Sequence, residues 1–322
     1  MPNSLGQQDA GPSRHDQDHD NSNHDHSNSN HDHSNSNHDS GSTTVDKRER
    51  ERLDTLHAAH TLLLSPAHDE LISAHLADVH RSGRRSTVLD VGTGTGTWAF
   101  AMGRQHPFAD IIGVDINWSA YGVQDSPHGN VEFRTVDLIH VKAMVMDIPH
   151  YPQLVERLAV TLKPRGLMIL VESSMSFECI DGTPSAVVAS WCSSLRDALA
   201  TKNSDIDLPR NLDRTVAATG VFTSEFFFQE VGCPVGAYMR SGSERLLRAG
   251  RLHASVIQPT LWRLISSRLE PGPRRRNLES LSDECARDLI SPSSRYIQRL
   301  FAVYAFKRPS SDRLLPRHRH SY

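Results

Sequence analysis

Residues 88–100 read VLDVGTGTGTWAF, and this stretch limits the possible folds more than any other in the chain. An apolar run leads into three glycines that alternate with threonines, and a helical pattern follows. At a strand-to-helix turn, glycine permits positive φ and close backbone approach, while the helix N-terminus offers unpaired N–H groups. A nucleotide-like ligand suits such a turn. Spacing then separates the candidates. A dinucleotide fingerprint runs G-x-G-x-x-G, whereas Gly92, Gly94 and Gly96 run G-x-G-x-G, with Thr97 where the third fingerprint glycine would stand. Asp90 lies inside the strand ahead of the first glycine. A second carboxylate, Asp115, closes IIGVDI about 20 residues on, where an acid can accept bonds from both hydroxyls of a ribose.

The surrounding pattern predicts an α/β fold. Strands are expected at 87–91, 111–116, VDLIHV and 167–172, and helices at 98–104 and 153–162. Strands that alternate with helices build a mostly parallel sheet with helices on both faces, and runs such as LMILV suit strands buried on both sides. Ahead of this lie two helices within 45–86. The first, KRERERLDTLHAAHTLLL, sets Leu53, Leu56, His60 and Leu63 on one face; the second spans 68–80. Beyond Cys179 the pattern is mostly helical over 180–295, with SEFFFQEVG strand-like, a helix over 244–269 and EPGPRRRN a loop. YIQRLFAVYAFK at 296–307 closes the sheet as the last strand. The Arg274–Arg276 run reads as a solvated loop rather than a localisation or phosphate patch.

Residues 1–44 are a different material. Between 13 and 42 the chain is almost wholly His, Asp, Asn and Ser, with HDHSNSN repeated at 24–30 and 31–37. With almost nothing apolar to bury, this tail is expected to be disordered; weak metal binding by its imidazoles is the sharper alternative to a plain solvated tail. Residues 310–322 are expected to be a flexible end. A net charge of -3 gives no reason to expect nucleic acid or an anionic membrane as partner. No apolar run approaches the roughly 20 residues of a membrane span. MPNSLGQQDAGPS lacks the apolar core of a signal peptide, and the four cysteines form no CxxC pair. A cytoplasmic or nuclear protein without a metal centre is expected.

DVGTGTG, with an acid ending the next strand, resembles the S-adenosylmethionine-dependent methyltransferases of Rossmann-like fold. More narrowly, ERLDTLH, VLDVGTGTGTWA, HPFADIIGVDI, VDLIHVKAM, LKPRGLMILVE and FAVYAFKRP, in that order, resemble the fungal secondary-metabolism branch and its regulator-like relatives. The likeness covers roughly residues 48–309, and it makes 87–309 the methyltransferase domain, with 180–295 as a helical acceptor-side region before the last strand. The resemblance implies S-adenosylmethionine as cofactor. Asp90, Gly92, Thr93, Gly94 and Gly96 would line its amino-acid and ribose part, Asp115 would hold the ribose hydroxyls, and Ile116 would pack on adenine. Asp90 has an alternative role, capping the N–H groups of the glycine loop. Trp98 could cover the cofactor or pack in the core.

One segment departs from that family. There, a strand like NVEF is followed by an acidic segment against adenine, a variable stretch, and only then DLIH. Here NVEFRTVDLIH leaves Arg134 and Thr135 between the two strand signals. Parallel neighbours need a crossover of a dozen or more residues, so the usual edge strand is expected to be missing. Residues 117–129 must then cross from the second strand to the far side of the first. Asp125 or Glu132 would have to replace the missing adenine-side acid, and weaker cofactor binding is expected. A smaller departure is Arg165 in KPRG, where the family has glycine; a type I turn is expected there.

Methyl transfer from a sulfonium is an in-line displacement that needs positioning more than a triad. An oxygen acceptor would gain from a base, and His140, at the carboxyl end of its strand, stands where ligands bind in such sheets. Glu172 ends the next strand in the same way. For both, the alternative is a satisfied pocket residue. Phe226–Phe228, Met239 and Trp262 are acceptor-side candidates whose alternative is core packing. The leading expectation is methyl transfer to a small molecule in secondary metabolism. The alternative is a regulatory, non-catalytic relative acting through a protein partner. Glycine spacing disfavours a nicotinamide oxidoreductase.

Overall fold

A computed structural model of the chain describes residues 40–115, 135–200, 205–236, 238, 243–266 and 269–309. The expectations for the tails before 40 and after 309, Ile116, the 117–129 crossing, NVEF, and Met239 lie outside the described residues. Two helices come first, α1 (Ser40–Leu64) and α2 (Ala67–Arg81). The α/β alternation follows as β1 (Ser86–Val91), α3 (Thr97–Gln105), β2 (Ala109–Val114), β3 (Val136–Lys142), α4 (Tyr151–Thr161) and β4 (Leu162–Cys179). Then come α5 (Ala186–Ala200), α6 (Leu212–Ala218), β5 (Phe222–Val235), α7 (Glu244–Ser266), α8 (Pro273–Leu289) and β6 (Tyr296–Lys307).

Among the described residues the sheet has six strands in the order β2-β1-β3-β4-β6-β5. The first four are parallel, and β6 runs antiparallel to both β4 and β5. This is the Rossmann-like arrangement, with β2 on one edge and no described strand outside it. Along β4, Leu167, Ile169 and Val171 enter a core with Ile72 and Leu76 of α2 and Trp98 and Met102 of α3. Met168 and Leu170 enter a second core with Val155 of α4 and Trp191 of α5. The period of two along the strand therefore puts helices on both faces, and each buried Leu, Ile or Val contributes about 1.5–3 kcal/mol. Six consecutive residues of β3 are buried, as a central parallel strand requires.

Four expectations are corrected. α1 starts at Ser40, inside the polar segment expected to end at 44. The basic run Arg274–Arg276 lies in the first turn of α8, not in a loop. Pro273 suits a first helical position because it has no N–H to leave unpaired, and Arg275 reaches Glu279 one turn on at 2.8 Å. Although last in the chain, β6 is inserted between β4 and β5, so β5 takes the edge. Arg165 has φ 64°, which a type I turn does not use; the turn keeps the left-handed position of the glycine it replaces.

Candidate functional site

β1 ends at Val91 and the chain turns on Gly92, Gly94 and Gly96, with φ of 74°, 56° and 77°. The turn is stapled to the end of β2. Gly92 and Thr93 donate their N–H groups to the Val114 carbonyl at 2.8 and 3.0 Å, and Gly94 donates to the Asp115 carboxylate at 2.9 Å. Asp115 is thus held at the rim of the loop. A Cβ on Gly92 would fall 2.1 Å from Sδ of Met144, so the turn after β3 lies directly on the glycine loop. Gly94 is more open; among the described residues a Cβ there would meet only Leu53 Cδ1, at 3.7 Å.

Asp90 and His140 are Cα partners on adjacent strands and both are buried. Oδ1 of Asp90 accepts from Nδ1 of His140 at 2.7 Å, and Oδ2 accepts from the Thr93 hydroxyl at 2.8 Å. Of the loop's groups, Asp90 therefore binds the Thr93 side chain. An ionised carboxylate only accepts, so Nδ1 carries the proton and Nε2 of His140 keeps a lone pair. Burial pushes the His140 pKa down, and Asp90 opposes this only in part. The ring is stacked on Trp98, with centroids 4.0 Å apart and planes 12° from parallel. Trp98 is buried in the core, with its ring flat against the imidazole.

Glu172 ends its approach differently. Its Oε1 accepts from the Met144 N–H and the Tyr151 hydroxyl, each at 2.9 Å, and its Oε2 is buried with no partner among the described residues. Burial raises its pKa to about 7. Glu172 therefore holds the turn that places Met144 on the loop.

α1 lies along the same site. Asp54 accepts from the hydroxyls of Thr95 and Thr97 at 2.5 and 2.6 Å, and Lys142 donates to Nδ1 of His57 at 2.6 Å. Desolvation brings Lys142 down to about 8 and His57 to about 3. Between α1, α2, α3 and the end of β3 is a cavity of about 80 Å³, lined by His57, His60, His68, Trp98, His140 and Lys142. The sequence reading missed Asp54, His57, Lys142 and Tyr151. A signal was present for two of them. Asp54 and His57 stand one helical turn apart in ERLDTLH, where an acid and an imidazole share a face.

The acceptor-side aromatics do not join this cluster. Phe227 packs on Tyr304 and Phe228 on Phe301, on an edge strand four positions from β1. Trp262 donates to Asp283, tying α7 to α8 at 2.9 Å. Among the described residues no helix is long and apolar enough to cross a membrane, and no three His, Cys, Asp or Glu groups are placed to share a metal ion.

The loop offers groups that can meet a ribose. Gly94, at positive φ, offers bare backbone at the loop's rim, and Asp115 stands beside it.

A family model described as a methyltransferase domain matches residues 46–211. Among curated proteins, the chain is 32% identical over 187 residues to the methyltransferase pytC of Aspergillus terreus, covering 54% of this chain and 55% of that one. It is 28% identical over 217 residues to the secondary metabolism regulator laeA of Aspergillus flavus, covering 62% and 55%. The chain spans about half the length of these relatives. A solved structure of a Haemonchus contortus phosphoethanolamine N-methyltransferase matches with TM-score 0.38 and 15% identity, covering 74% of this chain and 52% of that one.

Proposed function

This chain belongs to the methyltransferase-domain family, and from that premise we propose that it transfers a methyl group from S-adenosylmethionine to a small-molecule acceptor of secondary metabolism. The observation that carries the reading is the glycine loop, with Asp115 bonded to Gly94 and the Asp90–His140 pair directly beneath. The backbone of Gly92, Thr93, Gly94 and Gly96 would hold the cofactor's amino-acid and ribose part, beside Asp90, and Asp115 its ribose hydroxyls. When bound, the cofactor supplies an electrophilic methyl on a sulfonium.

The remaining work belongs to the chain. His140 Nε2, with its lone pair fixed by the Asp90 bond, takes the proton of an acceptor O–H or N–H. Asp90 then faces an imidazolium and stabilises it. Trp98 keeps the ring in plane. Glu172 is a positioning residue that holds Met144 and the turn after β3. Calorimetry with S-adenosylmethionine and mass spectrometry of co-purifying ligand test the reading. Metabolite comparison in a deletion strain then identifies the acceptor.

A second reading rests on Met144. Its thioether lies against Gly92, on the face a cofactor has to share, and the shortened 130–140 region removes the family's adenine-side acid. A protein that binds the cofactor weakly and acts through protein contacts is consistent with both, and with the regulators among its relatives. Cofactor binding with no turnover on any acceptor would favour it.

A further inference from the structure

We infer that the cavity between α1, α2, α3 and the end of β3 is a seat for a carboxylate group, held by Lys142 with His57 and His60. Lys142 is half-buried at the strand end, and among the described residues its hydrogen-bond partner is Nδ1 of His57. An ammonium has three donors, so two remain for a ligand or water at the cavity that Lys142 lines. The Nδ1 of His60, on the same wall, is buried without a partner among the described residues, in a residue only 3% exposed. Spare donors on a half-buried cation suit an anion with several lone pairs.

Neither Asp69, which lines the cavity, nor the nearby Asp90 is bonded to Lys142. Asp90 is engaged by His140 and Thr93, and Asp69 accepts from the Ser65 hydroxyl at 2.5 Å. His68 is turned to the Tyr304 hydroxyl at 2.9 Å. The imidazoles are not placed to share a metal ion. A cavity of about 80 Å³ admits a carboxylate with a water, since one water needs about 10–15 Å³ by the same measure.

Two sources could supply the carboxylate: the amino-acid end of S-adenosylmethionine, or an acidic acceptor. The first rests on the methyl-transfer reading above; the second does not need the cofactor. The test titrates the full chain with formate, using chloride at equal ionic strength as control and following thermal stabilisation and tryptophan fluorescence. Saturable binding is expected in the wild type and in Lys142→Arg, and at least tenfold weaker binding in Lys142→Met. S-adenosylhomocysteine and methylthioadenosine, which lacks the amino-acid end, are then compared. A tenfold loss in Lys142→Met for the first ligand alone assigns the seat to the cofactor. Equal affinities, with formate still binding the S-adenosylhomocysteine complex, assign it to the acceptor. The inference is overturned if wild-type protein shows no formate saturation, or if both titrations ignore the charge at 142. Loss of both nucleosides in the wild type with formate retained would sink the methyl-transfer reading and leave the seat standing.

Discussion

Nδ1 of His140 donates to Oδ1 of Asp90 at 2.7 Å, across two adjacent parallel strands on which these residues are direct Cα partners. The bond fixes the tautomer, so the lone pair falls on Nε2, on the ring that Trp98 covers. If this lone pair takes the acceptor's proton, His140→Gln lowers kcat by about 10²–10⁴, the range for general bases. Affinity for S-adenosylhomocysteine changes less than threefold by comparison. Asp90→Asn leaves the ring in place but frees the tautomer, so kcat falls in that variant too. Stopped turnover with intact ligand binding, read by calorimetry on both variants, separates this role from a structural one.

Glu172 is buried, with its pKa raised to about 7 from 4.5. A raised acid binds its proton more tightly when folded, so its neutral form is favoured. Stability is fully present below about 4.5 and is lost as pH rises through about 7. Glu172→Gln cannot ionise and escapes that loss. Relative to wild type, the variant is therefore expected to gain stability from pH 5 to pH 8.5. At about 1.4 kcal/mol per pKa unit the gain is on the order of 3 kcal/mol. Melting curves at the two pH values measure it; an unchanged difference between the proteins would show that the folded carboxyl titrates as it does in the unfolded chain.

The buried histidines act in the opposite sense. His60, His68, His140 and His253 are all buried, and desolvation lowers the pKa of each. The unfolded chain takes up these protons near 6.5, before the folded chain does, so stability falls as pH drops below 6.5 and continues falling toward about 3, the value for His68. Each such group contributes a slope of at most about 1.4 kcal/mol per pH unit. The chain is expected to lose thermal stability between pH 6.5 and 5, where most carboxylates are still ionised. Differential scanning calorimetry across that window tests it. His68→Phe, which loses one such proton, should have the shallower slope.

The parts of this site that were readable in the sequence are local in origin. Gly92, Gly94 and Gly96 announce a backbone that needs positive φ, and a carboxylate at the next strand's end falls beside such a loop whenever strands and helices alternate. The two-sided core was equally legible, because Met168 and Leu170 alternate with Leu167, Ile169 and Val171. What was not legible depends on strand order and helix placement. Asp90 and His140 are 50 residues apart and Lys142 and His57 are 85 apart. No spacing rule joins them. β4 outran its expected end at Glu172 because SSMSFEC looks polar, yet it pairs with β6 as far as Cys179, past an irregularity between Ser173 and Phe177. Cross-strand partners decided that, not propensity.

Arg165 provides a test confined to the backbone. Its φ is 64° and it is exposed, so the left-handed position is not offset by burial. A side chain there costs about 1–2 kcal/mol, whereas glycine adopts the same angle without the Cβ clash. Glycine has its own cost, about 0.5–1 kcal/mol, because the unfolded chain gains freedom. Arg165→Gly is therefore expected to stabilise the protein by about 0.5–1 kcal/mol, a rise in Tm of about 1–4 °C for a domain of this size. Arg165→Ala keeps the Cβ and is expected to stay within about 0.5 kcal/mol of wild type. Paired denaturation curves decide the matter. If alanine stabilised as much as glycine, the guanidinium and not the backbone would be the source of the cost.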